Sequence, residues 1–131
     1  MERTAVNPVT WSQELGFNQA ELVYGQSRAL YISGQTAMTS EGRPDHDGDI
    51  AAQLTLSIDN LEAVLAAAEM SLANLVRLNV YTTDVDALFP HYGVLAARLG
   101  AARVAPATTM LGVTRLAVPG QLVELEGTAV G

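Results

Sequence analysis

The run Gln121-Leu122-Val123-Glu124-Leu125-Glu126-Gly127-Thr128-Ala129-Val130 alternates between two chemistries. In an extended strand successive side chains point to opposite faces, so Val123, Leu125, Gly127 and Ala129 share one face and Leu122, Glu124, Glu126 and Thr128 the other. The small apolar set suits packing beneath helices. The other set carries two carboxylates, which need partners wherever they are buried. That second face is therefore expected to meet a cleft or another subunit.

The preceding residues supply the rest of an α+β fold. A β-prone run at 108–116 joins the last strand through a turn at Pro119-Gly120. Residues 76–82 alternate Val76, Leu78 and Val80 with Arg77, Asn79 and Tyr81, the period of a half-buried strand. A helix is expected between these two runs, with Asp84 or Asp86 as its cap, Pro90 near its first turn and Gly100 at its end. Earlier, Ile50, Leu54, Ile58, Leu61 and Leu65 recur at spacings of four, four, three and four, which predicts a long helix ending near Met70. Asp47 and Asp49 suit its N-terminus. Residues 20–24 and 29–33, separated by Gly25-Gln26-Ser27-Arg28, read as a β-hairpin, and the polar stretch 39–48 as a connecting loop. The predicted order is β-β-α-β-α-β-β, with room for a short strand at the N-terminus. One sheet with two helices is best satisfied when both helices cover the same face, leaving the other for a partner such as a second copy.

Length and composition narrow the function. The 131 residues, 49% apolar, fit one domain over residues 1–131 with a core of its own. There is no cysteine, so disulfides, thiolate metal sites and a cysteine nucleophile drop out together, and a cytoplasmic location is the expectation. Residues 1–11 lack the apolar core of a secretory signal, and the apolar stretch at 61–68 is interrupted by Glu62, so no membrane association is expected. The net charge of −7, with no lysine, opposes approach to phosphate backbones, and no nucleic-acid partner is expected.

Among candidates for chemistry, Glu124 and Glu126 lie on one strand face, about 6.5 to 7 Å apart at Cα from the strand rise. Paired carboxylates can do acid and base work, and they also occur as solvated or salt-bridged pairs on sheet surfaces. Asp45, Asp47 and Asp49 are in the wrong order for a calcium loop, with Leu56 where a bidentate Glu would stand. His46 and His91 lack metal-ligand spacing, so no metal is expected. Ser27 and Ser33 lack the Gly-x-Ser-x-Gly turn of a hydrolase nucleophile, and no glycine-rich turn combines with a lysine to hold phosphates. No cofactor is expected.

Four segments, Ser33-Gly34-Gln35, Val80-Tyr81-Thr82-Thr83-Asp84, Pro106-Ala107-Thr108-Thr109 and Leu122-Val123-Glu124-Leu125-Glu126, together resemble the Rid family, also called the YjgF or L-PSP family, in order and spacing over nearly the whole chain. The resemblance implies a chorismate-mutase-like fold, with a β-sheet carrying two helices on one face. It also implies a barrel-like homotrimer with small-molecule clefts at the subunit boundaries. In deaminating members an arginine of a Pro-Ala-Arg-Ser/Thr segment holds the substrate carboxylate; the matching position here is Thr108. The backbone contact of Ser-Gly-Gln carries over to Gly34, and the glutamate thought to place a water carries over to Glu124. A family tyrosine is matched by Phe17, and an asparagine on the second helix aligns with Gly93.

Two readings follow. In the first, a divergent Rid-type enzyme hydrolyses or tautomerises a small enamine, imine or carbonyl compound. Glu124 would handle water, Gly34 would orient the substrate, Thr108 and Thr109 would offer hydroxyls, and Phe17 with Met110 would form an apolar wall. In the second, the chain is a non-catalytic ligand-binding or regulatory trimer. A ribonuclease activity, proposed for some relatives, fits the acidic charge least.

Overall fold

The computed structural model describes residues 1–131, from strand β1 (Glu2–Val6) to strand β6 (Val123–Val130). Between them lie β2 (Ala20–Tyr24), β3 (Ala29–Gln35), helix α1 (Ile50–Ala67), β4 (Leu75–Thr82), the short helix α2 (Val85–Leu88), α3 (Tyr92–Ala101) and β5 (Ala107–Gly112). Four strands form one sheet in the order β3-β6-β4-β5, with β4 and β5 parallel and the other pairs antiparallel. The fold is α+β and chorismate-mutase-like, as expected.

The alternation of the last strand sorts the layers as predicted. Val123, Leu125 and Ala129 are fully buried together with Leu78 and Val80 of β4. Leu54, Ile58, Leu61 and Leu65 of α1 and Leu95 and Leu99 of α3 close over them in one core. Helix α1 is long and apolar enough by length and composition to cross a membrane, but its apolar stripe is spent on this sheet. Arg98 bridges the helices by bonding Asp59 at 2.7 Å and Glu62 at 3.3 Å.

The expected hairpin of residues 20–24 and 29–33 does not form. β2 pairs with β1 in a separate ribbon, from Glu2↔Tyr24 to Val6↔Ala20, while β3 pairs with β6. The turn explains the divergence. Ser27 and Arg28 both donate their N–H to the Gly131 carbonyl, at 3.1 and 3.0 Å, and Gly131 N–H donates to Arg28, so the chain leaves Gly25 toward β6 rather than back along β2. Arg3 then fastens the ribbon, donating to Glu21 and to the carbonyls of Ala73 and Leu75.

The expected second helix is divided. Asp84 caps α2 through the Ala87 N–H at 3.0 Å, but Pro90, which has no N–H to give, sits in a 3-10 turn before α3 begins. Gly100 lies inside α3 rather than past its end. The left-handed residue is Arg103 (φ 56°), and Arg103 N–H→Gly100 and Val104 N–H→Leu99 complete a Schellman motif. Helix α1 closes the same way with Glu69 (φ 58°), through Glu69 N–H→Ala66 and Met70 N–H→Leu65. A side chain in this conformation costs roughly 1–2 kcal/mol. The strands 108–116 and 121–130 expected from sequence are shorter at their facing ends: β5 stops at Gly112 and β6 starts at Val123, where the Leu122 N–H is taken by the Gln53 side chain and the Gln121 side chain turns to Ala37.

Gln53 and Ser57 are the polar residues buried on the inner side of α1, and Ser57 only bonds back to the Gln53 carbonyl. Gln53 reaches further. Fully buried, it donates to the carbonyls of His46 (3.0 Å) and Gly120 (2.9 Å) and accepts from Leu122 N–H (2.7 Å). Gln121 clasps both backbone groups of Ala37, at 2.9 and 3.2 Å.

Two stability predictions follow from these contacts. Gln53→Leu strands the Gly120 carbonyl and the Leu122 N–H, while His46 keeps its bond from Asp49 N–H, and lowers unfolding free energy by about 2 kcal/mol or more in a urea melt, at one to three for each stranded group. Arg103→Gly relieves the left-handed strain and raises it by about 0.5–1 kcal/mol, after the extra freedom of glycine in the unfolded chain is subtracted.

Candidate functional site

Two regions collect the residues singled out by sequence, and they lie on opposite faces of the sheet. On the face away from the helices, β6 presents Glu124 and Glu126 beside Tyr81 and Asn79 of β4, in the register Tyr81↔Glu124 and Asn79↔Glu126. Thr109 of β5 continues this face next to Asn79 and accepts from Arg77 at 2.7 Å.

The two carboxylates have different surroundings. Glu126 accepts from Asn79 Nδ2 at 3.0 Å and from the Tyr81 hydroxyl on the same oxygen. Glu124 receives no side-chain or backbone donor from the chain, although it is half-buried. Its carboxylate lies over Gly34, where the pairing of β3 with β6 slips between Ile32 and Gln35. A Cβ at Gly34 would come within 2.6 Å of Glu124 Cδ and overlap the carboxylate itself, so only glycine leaves this space open. Glu126 is thus held by its neighbours, while Glu124 keeps its acceptor capacity for something else.

On the helix side, Thr108 and Met110 register with the core residues Leu78 and Val80 and reach the sheet edge. With Leu15, Phe17, Phe89 and Tyr92 they line a cavity of about 180 Å³. The Thr108 hydroxyl donates to the Pro106 carbonyl at 2.8 Å. Phe17 meets Trp11 edge to face, with ring centroids 5.9 Å apart. Burial pushes the Tyr92 phenol up from its ordinary pKa.

Of the residues named from sequence, Phe17, Thr108 and Met110 therefore come together at the cavity, and Gly34, Glu124 and Thr109 lie on the open face. Gly93 joins neither: it is exposed on the first turn of α3, beside Tyr92 in sequence but outside the cavity lining. Sequence reasoning missed Leu15, Phe89 and Tyr92. The aromatic pair Phe89 and Tyr92 around Pro90 was the available signal, hidden by the assumption of one continuous helix. Asn79 and Tyr81 were visible as the outward members of β4, but nothing in their pattern pointed to Glu126.

Comparison with known proteins was consistent along the chain. A family model described as "Endoribonuclease L-PSP" matches residues 13–131. The RutC family protein YjgH of Escherichia coli is 29% identical over 117 residues, 89% of this chain and 88% of that protein. The structure of YyfB from Yersinia pestis, described as a Rid-family protein of unknown function, superposes with a TM-score of 0.84 at 32% identity, covering 99% of both chains. The structure of E. coli TdcF with bound serine shares the fold, with a TM-score of 0.69 at 24% identity over 88% of this chain and 87% of that one.

The Tyr81–Glu126 bond carries a pH signature. Donation to Glu126, then burial and the Glu126 charge, raise the Tyr81 pKa above the ordinary 10.0. Its folded value exceeds its unfolded one, so the contribution to stability is complete below pH 10 and disappears as pH rises through the folded value. Urea melts of the native chain and Tyr81→Phe should differ by a constant amount through neutral pH and converge in alkali.

Proposed function

The chain belongs to the endoribonuclease L-PSP family, the Rid family, and on that premise we propose that it hydrolyses or tautomerises a small imine, enamine or related carbonyl compound in a cleft completed by a second copy of the chain. The observation that carries this reading is the Glu124 carboxylate, half-buried over Gly34 with no donor from its own chain.

In the hydrolytic case, Glu124 takes a proton from water as the oxygen bonds to the C=N carbon and the π pair moves to nitrogen. Glu124 returns that proton to the nitrogen, then relays the carbinolamine hydroxyl proton to the amine as the C=O bond forms, and ammonia leaves with the C–N pair. Gly34 orients the substrate through its backbone, Thr109 offers a hydroxyl, and Phe17 and Met110 supply the apolar wall. Within one chain Glu124 and Thr108 are on opposite sheet faces, which is why the reading calls for a homotrimeric or other small assembly that brings one copy's carboxylate to another's cavity.

A second reading, a non-catalytic ligand-binding trimer, draws on the cavity itself. The position where the family resemblance expects a carboxylate-holding arginine is Thr108, whose hydroxyl is already donated to Pro106. The family description as an endoribonuclease does not carry over readily to a chain of net charge −7.

The test is ammonia release from freshly generated ketimines, with and without a carboxylate, by the native chain and by Glu124→Gln. The enzyme reading expects a loss of about 100-fold or more in Glu124→Gln with unchanged sedimentation, the size of a missing general base. Full activity in Glu124→Gln, or a monomer at working concentration, removes it; saturable binding with no turnover of any ketimine favours the second reading.

A further inference from the structure

The cavity of Leu15, Phe17, Phe89, Tyr92, Thr108 and Met110 contains no charged side chain. Its one hydroxyl on the strand, that of Thr108, donates to Pro106, and the Tyr92 hydroxyl makes no hydrogen bond within the chain. Leu15 and Phe89 stay 51% and 59% exposed at its rim, so the entrance is apolar as well. We propose that this cavity selects an uncharged, ring-sized ligand with a single hydrogen-bonding group and rejects the corresponding carboxylate. This names the ligand class of the site proposed above and takes from that reading only the location of the chemistry.

Size and charge both carry the argument. An apolar cavity of about 150 Å³ is enough for benzene, so 180 Å³ admits a six-membered ring with one small substituent. A carboxylate placed here would give up its water against Leu15, Phe17, Phe89 and Met110 with no cation among the lining residues to replace it. A neutral carbonyl or amide loses far less, and Tyr92, kept in its protonated form by burial, can donate to it. The two threonines do not change the balance: Thr109 points to the other face and is engaged by Arg77.

Benzamide and benzoate have nearly the same shape and differ in charge, and Trp11, the single tryptophan, packs edge to face on Phe17 of the cavity lining and so can report on it. Titration of the native chain with each, followed by Trp11 fluorescence and calorimetry, should show saturable benzamide binding and benzoate at least about tenfold weaker, the least that one uncompensated charge should cost. Thr108→Arg should reverse the order, because a guanidinium offers a carboxylate two charge-assisted bonds. Benzoate binding equal to or tighter than benzamide in the native chain overturns the proposal. So does an order of preference that Thr108→Arg leaves unchanged. Absence of any benzamide response also overturns it. Should Thr108→Arg fail to fold, the native benzamide-to-benzoate ratio decides alone. None of these readouts uses turnover, so failure here leaves the catalytic role of Glu124 standing, and loss of that role leaves the binding preference intact.

Discussion

Everything at the open face depends on where two buried amides hold the backbone. Gln53 ties α1 to both the loop before it and the entry to β6, and Gln121 grips Ala37 just beyond β3. Asn60, also on α1, adds bonds to the carbonyls of Thr36 and Met38 at 2.9 and 3.0 Å. These contacts fix the ends of β3 and β6 relative to the same helix. The slip in their pairing that sets Gly34 under Glu124 is therefore imposed from outside the sheet. A fully satisfied buried amide is an effective device for this, since any shift of either loop leaves a backbone group unpaired in a dry interior.

The sheet consequently has two unequal surfaces. The helix side is a single apolar core that ends at an edge cavity without charge. The open side is polar and mutually bonded at Arg77, Asn79, Tyr81, Thr109 and Glu126, yet leaves Glu124 unengaged. Adjacent carboxylates on one strand are in this way given separate duties by their neighbours: one belongs to the framework, and the other is available to water or a ligand.

Much of this was legible in the sequence because period-two and period-3.6 patterns report burial directly. The stripe from Ile50 to Leu65, the alternation of β4 and the two faces of β6 all appear in the fold as read. The hairpin reading failed because strand propensity does not reveal which edge a strand will find, and β6 competes successfully for β3 from the far end of the chain. Gln53 was illegible for a related reason: on a helix wheel it reads as a polar residue beside the stripe, and only the returning loops turn it into core. The split helix was masked by a proline tolerated near helix starts. At the site, the residue types were visible and alternation separates Thr108 from Thr109, but which face each takes required the register of β5 on β4, which sets Thr108 beside Leu78 and Thr109 beside Asn79.

The place of β6 in the sheet also bears on synthesis. It lies between β3 and β4, hydrogen-bonded along both edges, yet it follows both of them in the chain, and Ala29 finds its partner only at Val130. On the ribosome, β3, α1, β4 and β5 emerge with the centre of their sheet missing, and α1 has only part of the surface that its apolar stripe needs. Loop closure over this separation comes late and exposes strand edges meanwhile. The nascent chain is thus most in need of chaperone protection until β6 has emerged, and loss of residues 123–130 removes an interior strand rather than trimming an edge.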